Sequence, residues 1–431
     1  MNGLLTDLYE LTMAAGYFAA DRHRDVGTFE FTIRRLPRHR DFVLLAGLHR
    51  AVEYLLNLSF EPDEIRYLRS LENFRNAPAA FWDYLAAFRF SGDVFAVPEG
   101  TVLYAGQPVL NIRAPLIEGQ IPETYLLSAI TFETLIASKA ARIMRAAAGR
   151  DVVEFGTRRA HTPEAGVLAA RAAYIGGCTG TSNTLAGLQY GIPVLGTAAH
   201  SWVMTFETET EAFRQLQSLL ADHTVQLIDT YDPVEGARTA ARLGKPLWGV
   251  RLDSGDLPSL SRDIRRILDN AGMRDTKIMA SGDLDETKIA DLVRARAPID
   301  SFGVGTELAT SGDAPSMGTI YKLVEIERGG EIRYTAKNSP DKQTLPGAKQ
   351  LFRYPDHDLL ALQHECAPGS EAMLKPVIIG GRLVEPLPTT EEIRHRAQAS
   401  LASWPSASRR TDHSAALEKL DMEMRAVHVP A

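Results

Sequence analysis

From Val152 to about Thr306 the sequence repeats one rhythm: an apolar run, a loop of glycine and polar residues, then a helical stretch. Strand-like runs begin near Val152, Tyr174, Ile192, Val225, Leu247, Lys277 and Ile299, spaced about 20 to 30 residues apart. Helical patterns fill most of the gaps: Pro163 to Ala173, Glu207 to Ala221, Pro233 to Arg242, Pro258 to Asn270 and Asp285 to Ala295. Parallel strands cannot be joined by a tight turn and need a crossover, usually a helix. The rhythm therefore predicts α/β architecture with a parallel sheet wrapped by helices.

Polar and glycine residues cluster after the runs, on the side leading into the helices. In order they are Glu154 to Arg159, Gly176 to Asn183, Gly196 to Ser201, Asp229 to Asp232, Arg251 to Asp256, Ser281 to Asp283 and Gly303 to Glu307. The returning helix-to-strand connections, such as Ala271-Gly272, are plainer. Active sites of (β/α) barrels form at the C-terminal ends of the strands. Seven such loops in succession predict an irregular (β/α) barrel with chemistry at its mouth.

The flanks have a different texture. Leu5 to Ala19 is spaced as a helix with Thr6 or Asp7 as N-cap, and Thr28 to Ile33 alternates as a strand. Phe42 to Leu58, Pro62 to Leu71 and Pro78 to Ala87 read as helices, Asp93 to Ile112 as β structure, and Pro122 to Ala148 as one long helix or a pair. Past Ser316, Gly318 to Ile326 and Glu331 to Ala336 read as a hairpin about Gly329-Gly330, and Thr389 to Ser403 as a helix. These patterns predict a second, α+β domain built from both ends of the chain, residues 1–121 with 320–400. The barrel takes 122–319, and 401–431 remain as a weakly patterned tail.

With 431 residues and 45% hydrophobic content, the chain can bury two cores. A formal charge of −7 gives no global field for nucleic acid or an acidic membrane, so local basic groups must hold any anion. Two cysteines, Cys178 and Cys366, exclude a disulfide framework and a cysteine-built zinc site and suit a reducing cytoplasm. The first 18 residues carry Asp7 and Glu10 within their apolar pattern, unlike a signal peptide, and no apolar run is long enough to span a membrane.

Within the loops, Ile192 to Leu195 reads as a buried strand that stops at Gly196 and delivers His200. A lone histidine there is as readily a packed core residue; the surrounding loops are what mark it as a site residue. The glycine-rich Gly176 to Asn183 and Gly303 to Glu307 offer backbone N–H groups to a phosphate ester. Arg251 suits a phosphate and Asp253 sugar hydroxyls, although the pair also fits a surface salt bridge. Asp229, Asp232, Asp253, Asp256 and Asp283 form an acidic set able to carry Mg²⁺ or to cap helices, with Asp256 and Asp283 the best-placed caps. Phe155 and Arg158, three apart, suit a flat anionic ring. Arg34 opens a basic cluster with Arg35, Arg38, His39 and Arg40, either a solvated loop or an anion contact. His161 and Cys178 read as structural.

Five stretches together resemble nicotinate phosphoribosyltransferase: Leu5-Thr6-Asp7-Leu8-Tyr9, Glu154 to Arg159, Gly196 to Ser201, Arg251 to Asp256, and Phe302 to Thr306. The resemblance runs in one order from about Leu4 to Arg394. It implies a homodimer of type II phosphoribosyltransferase subunits with shared active sites. It also implies formation of nicotinate mononucleotide and pyrophosphate from nicotinate and phosphoribosyl pyrophosphate, with coupled ATP hydrolysis and Mg²⁺. By the same resemblance His200 is the histidine phosphorylated by ATP. Phe155 and a neighbouring subunit's Tyr9 sandwich the pyridine ring near Arg158. Asp229 and Asp253 surround the ribose and Mg²⁺, and Arg251 contacts phosphate. Gly282, Gly305 and Thr306 form the 5′-phosphate loops, while Arg34, Lys322 and Lys337 reach pyrophosphate. Alternatives on the same scaffold are a nicotinamide or other pyridine phosphoribosyltransferase, and a non-catalytic binder of phosphate metabolites.

One position discriminates among these. Related nicotinamide enzymes carry an acidic residue where this chain has Ser182, and a carboxylate there repels a carboxylate substrate. Ser182→Asp is expected to cut nicotinate turnover and raise relative use of nicotinamide, read from paired kcat/KM values; an unchanged preference overturns the assignment.

Overall fold

The βα rhythm becomes a six-stranded, all-parallel sheet in the order Gly180–Thr181, Asp151–Glu154, Ser301–Val304, Lys277–Ala280, Gly249–Leu252, Val225–Leu227. The structure, a computed structural model, describes residues 3–339, 342–402 and 409–427. Leu135–Pro315 and Thr389–Gln398 form the unit that contains this sheet. Met1–Thr134, Ser316–Pro388 and Ala399–Ala431 form the other.

In the sheet unit the strands are two to four residues long and almost wholly buried, as expected where both faces are covered. Helices follow the strands at Pro163–Ile175, Pro233–Leu243, Leu257–Asn270 and Glu286–Arg294. Their starts are set locally: the Thr162, Asp232 and Asp285 side chains each accept backbone N–H groups of the first turn, and Pro163 and Pro233 sit where their missing N–H is not needed.

Two of the expected barrel strands are absent. The run near Tyr174 lies inside helix Pro163–Ile175, whose Ala169, Ala170, Ala172 and Ala173 are buried. Alanine's helix preference outweighs the apolar content there. Ile192 to Leu195 is not a buried strand either. Only Val194 bridges to Thr181, and Val194 and Leu195 are 49% and 41% exposed. Pro193 has no N–H to lend a ladder. The sheet is therefore a curled half-barrel, with Gly180–Thr181 and Val225–Leu227 as edges among the described residues.

Thr389–Gln398 joins this unit because Arg394 grips it: its guanidinium donates to the carbonyls of Gly177 (2.9 Å) and Cys178 (2.6 Å) and lies 4.1 Å from the centroid of the Tyr174 ring. The composition of that helix does not show this, and the sequence reading places the stretch in the other domain.

The second unit centres on an antiparallel seven-stranded sheet, ordered Glu331–Tyr334, Gly318–Arg328, Val26–Arg35, Pro108–Pro115, Asp93–Ala96, Lys375–Ile379, Arg382–Leu383. Phe29, Phe31 and Ile33 alternate on strand Val26–Arg35 and are buried, packing in one core with helices Leu8–Ala19, Leu48–Asn57, Pro62–Ser70 and Ala79–Ala86. Phe42 to Leu58 is not one helix: Val43–Leu44 pairs with Val102–Leu103, and Gly47, at φ 93°, turns the chain into helix Leu48–Asn57. Glu123–Ala147 is a single helix.

Residues 409–427 also belong to this unit rather than standing apart as a tail. Strand Arg410–His413 runs parallel to His357–Leu362, and beside it a fully buried Asp358 accepts from Arg353 (3.1 Å), Arg409 (2.8 Å) and Gln107 (2.8 Å). Burial alone would raise the Asp358 carboxyl; the two guanidinium groups outweigh it and hold it below the usual aspartate value. A depressed pKa contributes stability above the ordinary aspartate value that is lost as pH falls through the folded one. Arg409→Ala is expected to cost about 2 kcal/mol at neutral pH. The deficit should narrow below about pH 4, as checked by urea unfolding across pH.

Candidate functional site

A cavity of about 470 Å³ opens at the C-terminal ends of the parallel strands, lined by Phe155, Arg158, Ser182, Gly196 to His200, Arg251 and Asp253. Arg251 stands near the end of strand Gly249–Leu252, and the others come from loops that follow a strand or the Val194 bridge, where short buried strands deliver side chains from a rigid base.

Arg251 is the hub. Its Nη2 donates to Asp253 Oδ1 (2.6 Å), its Nε to Ser281 Oγ (2.8 Å) and its Nη1 to Thr197 Oγ1 (2.7 Å). The guanidinium carbon lies 5.6 Å from the centroid of the Phe155 ring, within cation–π range. Ser281 Oγ donates in turn to Asp253 Oδ1. Burial would raise the Asp253 carboxyl, but Ser281, Arg251 and the nearby His200 hold it below its ordinary value.

Asp229 completes the acidic pair. Its Oδ2 accepts from the Asp253 N–H (2.8 Å) and Ser254 Oγ (2.7 Å), while Oδ1 is buried with no hydrogen-bond partner among the described residues. A buried carboxylate oxygen left open this way suits a cation. No group of three or more His, Cys, Asp or Glu side chains gathers as a metal cage among the described residues. Two carboxylates plus substrate oxygens are what Mg²⁺ takes in such sites, so the residues present fit that ion.

His200 begins the short helix His200–Met204. Its Nδ1 is 3.2 Å from Thr230 Oγ1, and its Nε2, 3.9 Å from Asp253 Oδ2, is on a side chain 38% exposed. One ring nitrogen is oriented and the other is open to a reagent. The rest of the acidic set resolves differently from the sequence reading. Asp232 is a true cap, accepting from the Val234 and Glu235 N–H groups (2.9 Å each). Asp256 stands at a cap position without a side-chain bond, and Asp283, at φ 45°, caps nothing; the cap is Asp285.

Phe155 is held by its own N–H on the Val304 carbonyl (2.8 Å), and its ring covers Gly303, where a Cβ would come within 2.5 Å. Arg158 is exposed on the turn Thr157–Arg159. Ser182 is exposed, with its N–H on the Glu154 carbonyl (2.9 Å). Gly282 has φ 95°, and a Cβ there would collide with the Asp253 carbonyl oxygen, so only glycine permits the approach of these loops. Gly305 and Thr306 open helix Thr306–Ala309. Cys178 is fully buried and its thiol is pushed up to about 12, chiefly by burial; His161 is exposed.

Tyr9, Arg34, Lys322 and Lys337 lie in the other unit. Tyr9 is 46% exposed on helix Leu8–Ala19. Arg34 and Lys322 line one cavity of about 150 Å³, where Lys322 Nζ donates to the Tyr321 carbonyl (2.7 Å) and pairs with Glu123 (3.2 Å). Lys337 is exposed, its N–H on Thr344 Oγ1 (2.9 Å).

Sequence reasoning missed Glu154, Thr181, Thr197, Thr230 and Ser281. Glu154 is fully buried; its carboxylate accepts from the Gly156 N–H and from Thr181 Oγ1 (2.6 Å), fastening the Phe155 loop to the Ser182 loop. Burial pushes its carboxyl upward, only partly countered by those two donors. A carboxylate ending an apolar strand was the available signal.

Residues 4–131 match the model of the nicotinate phosphoribosyltransferase N-terminal domain, and residues 151–344 that of the nicotinate phosphoribosyltransferase family. The chain is 42% identical over 417 residues to the Mycobacterium tuberculosis nicotinate phosphoribosyltransferase pncB2, covering 94% of this chain and 88% of that protein. It is 40% identical over 359 residues to a Bacillus subtilis nicotinate phosphoribosyltransferase, covering 81% and 72%. The crystal structure of human nicotinic acid phosphoribosyltransferase superposes with a TM-score of 0.86 at 29% identity, covering 98% of this chain and all of that one.

Because Ser281 feeds Asp253 directly, Ser281→Ala is expected to raise the Asp253 carboxyl pKa toward its ordinary value. A ¹³C carboxyl NMR titration checks it.

Proposed function

The chain belongs to the nicotinate phosphoribosyltransferase family, and from that membership and the geometry of the half-barrel mouth we infer that it makes nicotinate mononucleotide for NAD salvage. The substrates are nicotinate and phosphoribosyl pyrophosphate, the second product is pyrophosphate, and ATP hydrolysis is coupled to the transfer. The observation that carries this reading is the meeting of Phe155, His200, Arg251 and Asp253 around one cavity.

The pyridine ring rests on Phe155, on the side not taken by Arg251, with Arg158 facing its carboxylate. Ser182 adds no negative charge at that edge. The backbone N–H groups at Gly282, Gly305 and Thr306 receive the 5′-phosphate. Loss of pyrophosphate leaves an oxocarbenium-like ribose, which the Asp253 and Asp229 carboxylates stabilise while it is held for attack by the pyridine nitrogen. Asp253, kept ionised by Arg251 and Ser281, is ready for that role over the neutral range. Mg²⁺ held by Asp229 and Asp253 neutralises charge on the phosphate oxygens when bound. Arg251, with three of its donors engaged, acts more by orienting Asp253 than by gripping phosphate.

His200 Nε2 attacks the γ-phosphorus of ATP; ADP leaves, and water later releases the phosphate. A phosphoimidazole places up to two negative charges beside Asp253, enough to reorder the Thr197 and Thr230 contacts and change substrate affinity.

The protein works as a homodimer in which a second subunit supplies Tyr9. Exposed Leu185 (48%), Leu188 (83%), Val194 (49%), Leu195 (41%) and Met204 (60%) in the same unit support this association. Free Cys178 and Cys366 support a reducing cytoplasm. Among the described residues no helix is long and apolar enough to cross a membrane.

His200→Ala is expected to abolish acid-labile phosphate after incubation with ATP, detected by mass spectrometry, and to remove at least about tenfold of the ATP stimulation of product formation. Full stimulation in the variant would overturn the phosphohistidine assignment. Absence of product from nicotinate and phosphoribosyl pyrophosphate, with or without ATP, would overturn the activity.

A further inference from the structure

A buried lysine with no part in the chemistry above stands behind the loops assigned to the 5′-phosphate. Lys139, on helix Glu123–Ala147, is buried with its ammonium inside the sheet unit. Nζ lies 2.6 Å from Glu286 Oε2, 2.9 Å from Asp313 Oδ1 and 4.0 Å from Glu307 Oε2. Arg142, one turn further along, reaches the other oxygen of Glu286 at 3.1 Å.

The partners are placed to matter. Glu286 is the first residue of helix Glu286–Arg294, directly after the Ser281-Gly282-Asp283 loop and its cap Asp285. Glu307 is the second residue of helix Thr306–Ala309, directly after Gly305, and Asp313 follows on the same connection. Lys139 therefore ties the far ends of two loops whose near ends carry Gly282 and Thr306. We propose that Lys139 is a positioning residue for phosphoribosyl pyrophosphate, its ammonium drawing the Gly282 and Gly305–Thr306 loops to a common phosphate-binding geometry.

Electrostatics gives the reason. Three carboxylates close together repel one another, and an unpaired ammonium in the interior is costly, so each sign holds the other in place. Without Lys139 the carboxylates of Glu286, Glu307 and Asp313 spread, and their charge acts on the phosphate that the two loops must hold. Nicotinate is assigned to Phe155, Arg158 and Ser182, and the ion pairs of Lys139 among the described residues go to Glu286, Glu307 and Asp313 instead, so nicotinate binding is predicted to be spared.

This inference rests on the assignment of Gly282, Gly305 and Thr306 to the 5′-phosphate, and the test separates the two. In steady-state assays of the full chain, Lys139→Met is expected to raise the KM for phosphoribosyl pyrophosphate about tenfold, with the KM for nicotinate within about twofold. Lys139→Arg, which keeps the charge, should recover most of the loss, as a role in packing volume alone would not. Thr306→Pro, which removes one of the N–H groups assigned to the phosphate at a helix position that tolerates proline, serves as the control within the phosphate loop. If it leaves the KM for phosphoribosyl pyrophosphate unchanged, the loop assignment falls and the role of Lys139 with it. If it raises that KM while Lys139→Met moves both KM values alike, or neither, the loops stand and Lys139 is overturned as their positioning residue. Should Lys139→Met fail to fold, Glu286→Gln, which removes one charge from the tie, should raise the same KM about threefold and spare that for nicotinate; equal shifts in both overturn the proposal.

Discussion

One guanidinium ties the catalytic mouth together. Arg251 sits between Asp253, Ser281, Thr197 and the face of Phe155, so residues from four different loops take their positions from a single planar cation. Arginine suits this because its rigid fork directs several donors at once, whereas a lysine would offer a point charge and no plane to lay on the ring. With Arg251 in place, Asp253 is ionised and oriented, and its backbone N–H fixes Asp229 in turn. That leaves Asp229 Oδ1 as the open acceptor, and the His200 Nε2 edge 3.9 Å from Asp253 Oδ2.

Buried charge recurs behind the mouth. Glu154 fastens the Phe155 loop to the Ser182 loop, and Lys139 links the two connections that follow Gly282 and Gly305. A half-barrel whose strands are only two to four residues long has little ladder to define where its loops lie. Short buried ion pairs and charge-assisted hydrogen bonds supply the directional restraint that so short a sheet lacks. Pro193 limits the pairing beyond Gly180–Thr181 to one bridge and leaves Val194 and Leu195 exposed beside the cavity.

Much of this was legible in the chain. The βα rhythm, the polar clusters after the strands, the hairpin about Gly329-Gly330 and the alternating Phe29-Phe31-Ile33 strand are local patterns, and local patterns persist in the fold. The two false strands, at Tyr174 and at Ile192 to Leu195, arose because a short apolar run has no periodicity of its own. A buried helix face and an exposed bridge give the same letters. The cap was misassigned at Asp283 because capping depends on backbone dihedrals, which Asp283 does not meet, while Asp256 does stand at its cap position.

What the sequence by itself determined is the set of residue types and the order in which they arrive: small residues and glycine where loops must approach closely, and His200, Asp229, Arg251 and Asp253 each placed after an apolar run. Only the tertiary structure decided which of those residues meet. It paired Arg251 with Ser281 and Thr197, left one oxygen of Asp229 open, and set Lys139 against three acids from distant positions. Periodicity and composition are carried by neighbours in sequence, whereas charge pairing acts across space between residues far apart in sequence, as Lys139 with Asp313 and Glu30 with Lys349 are.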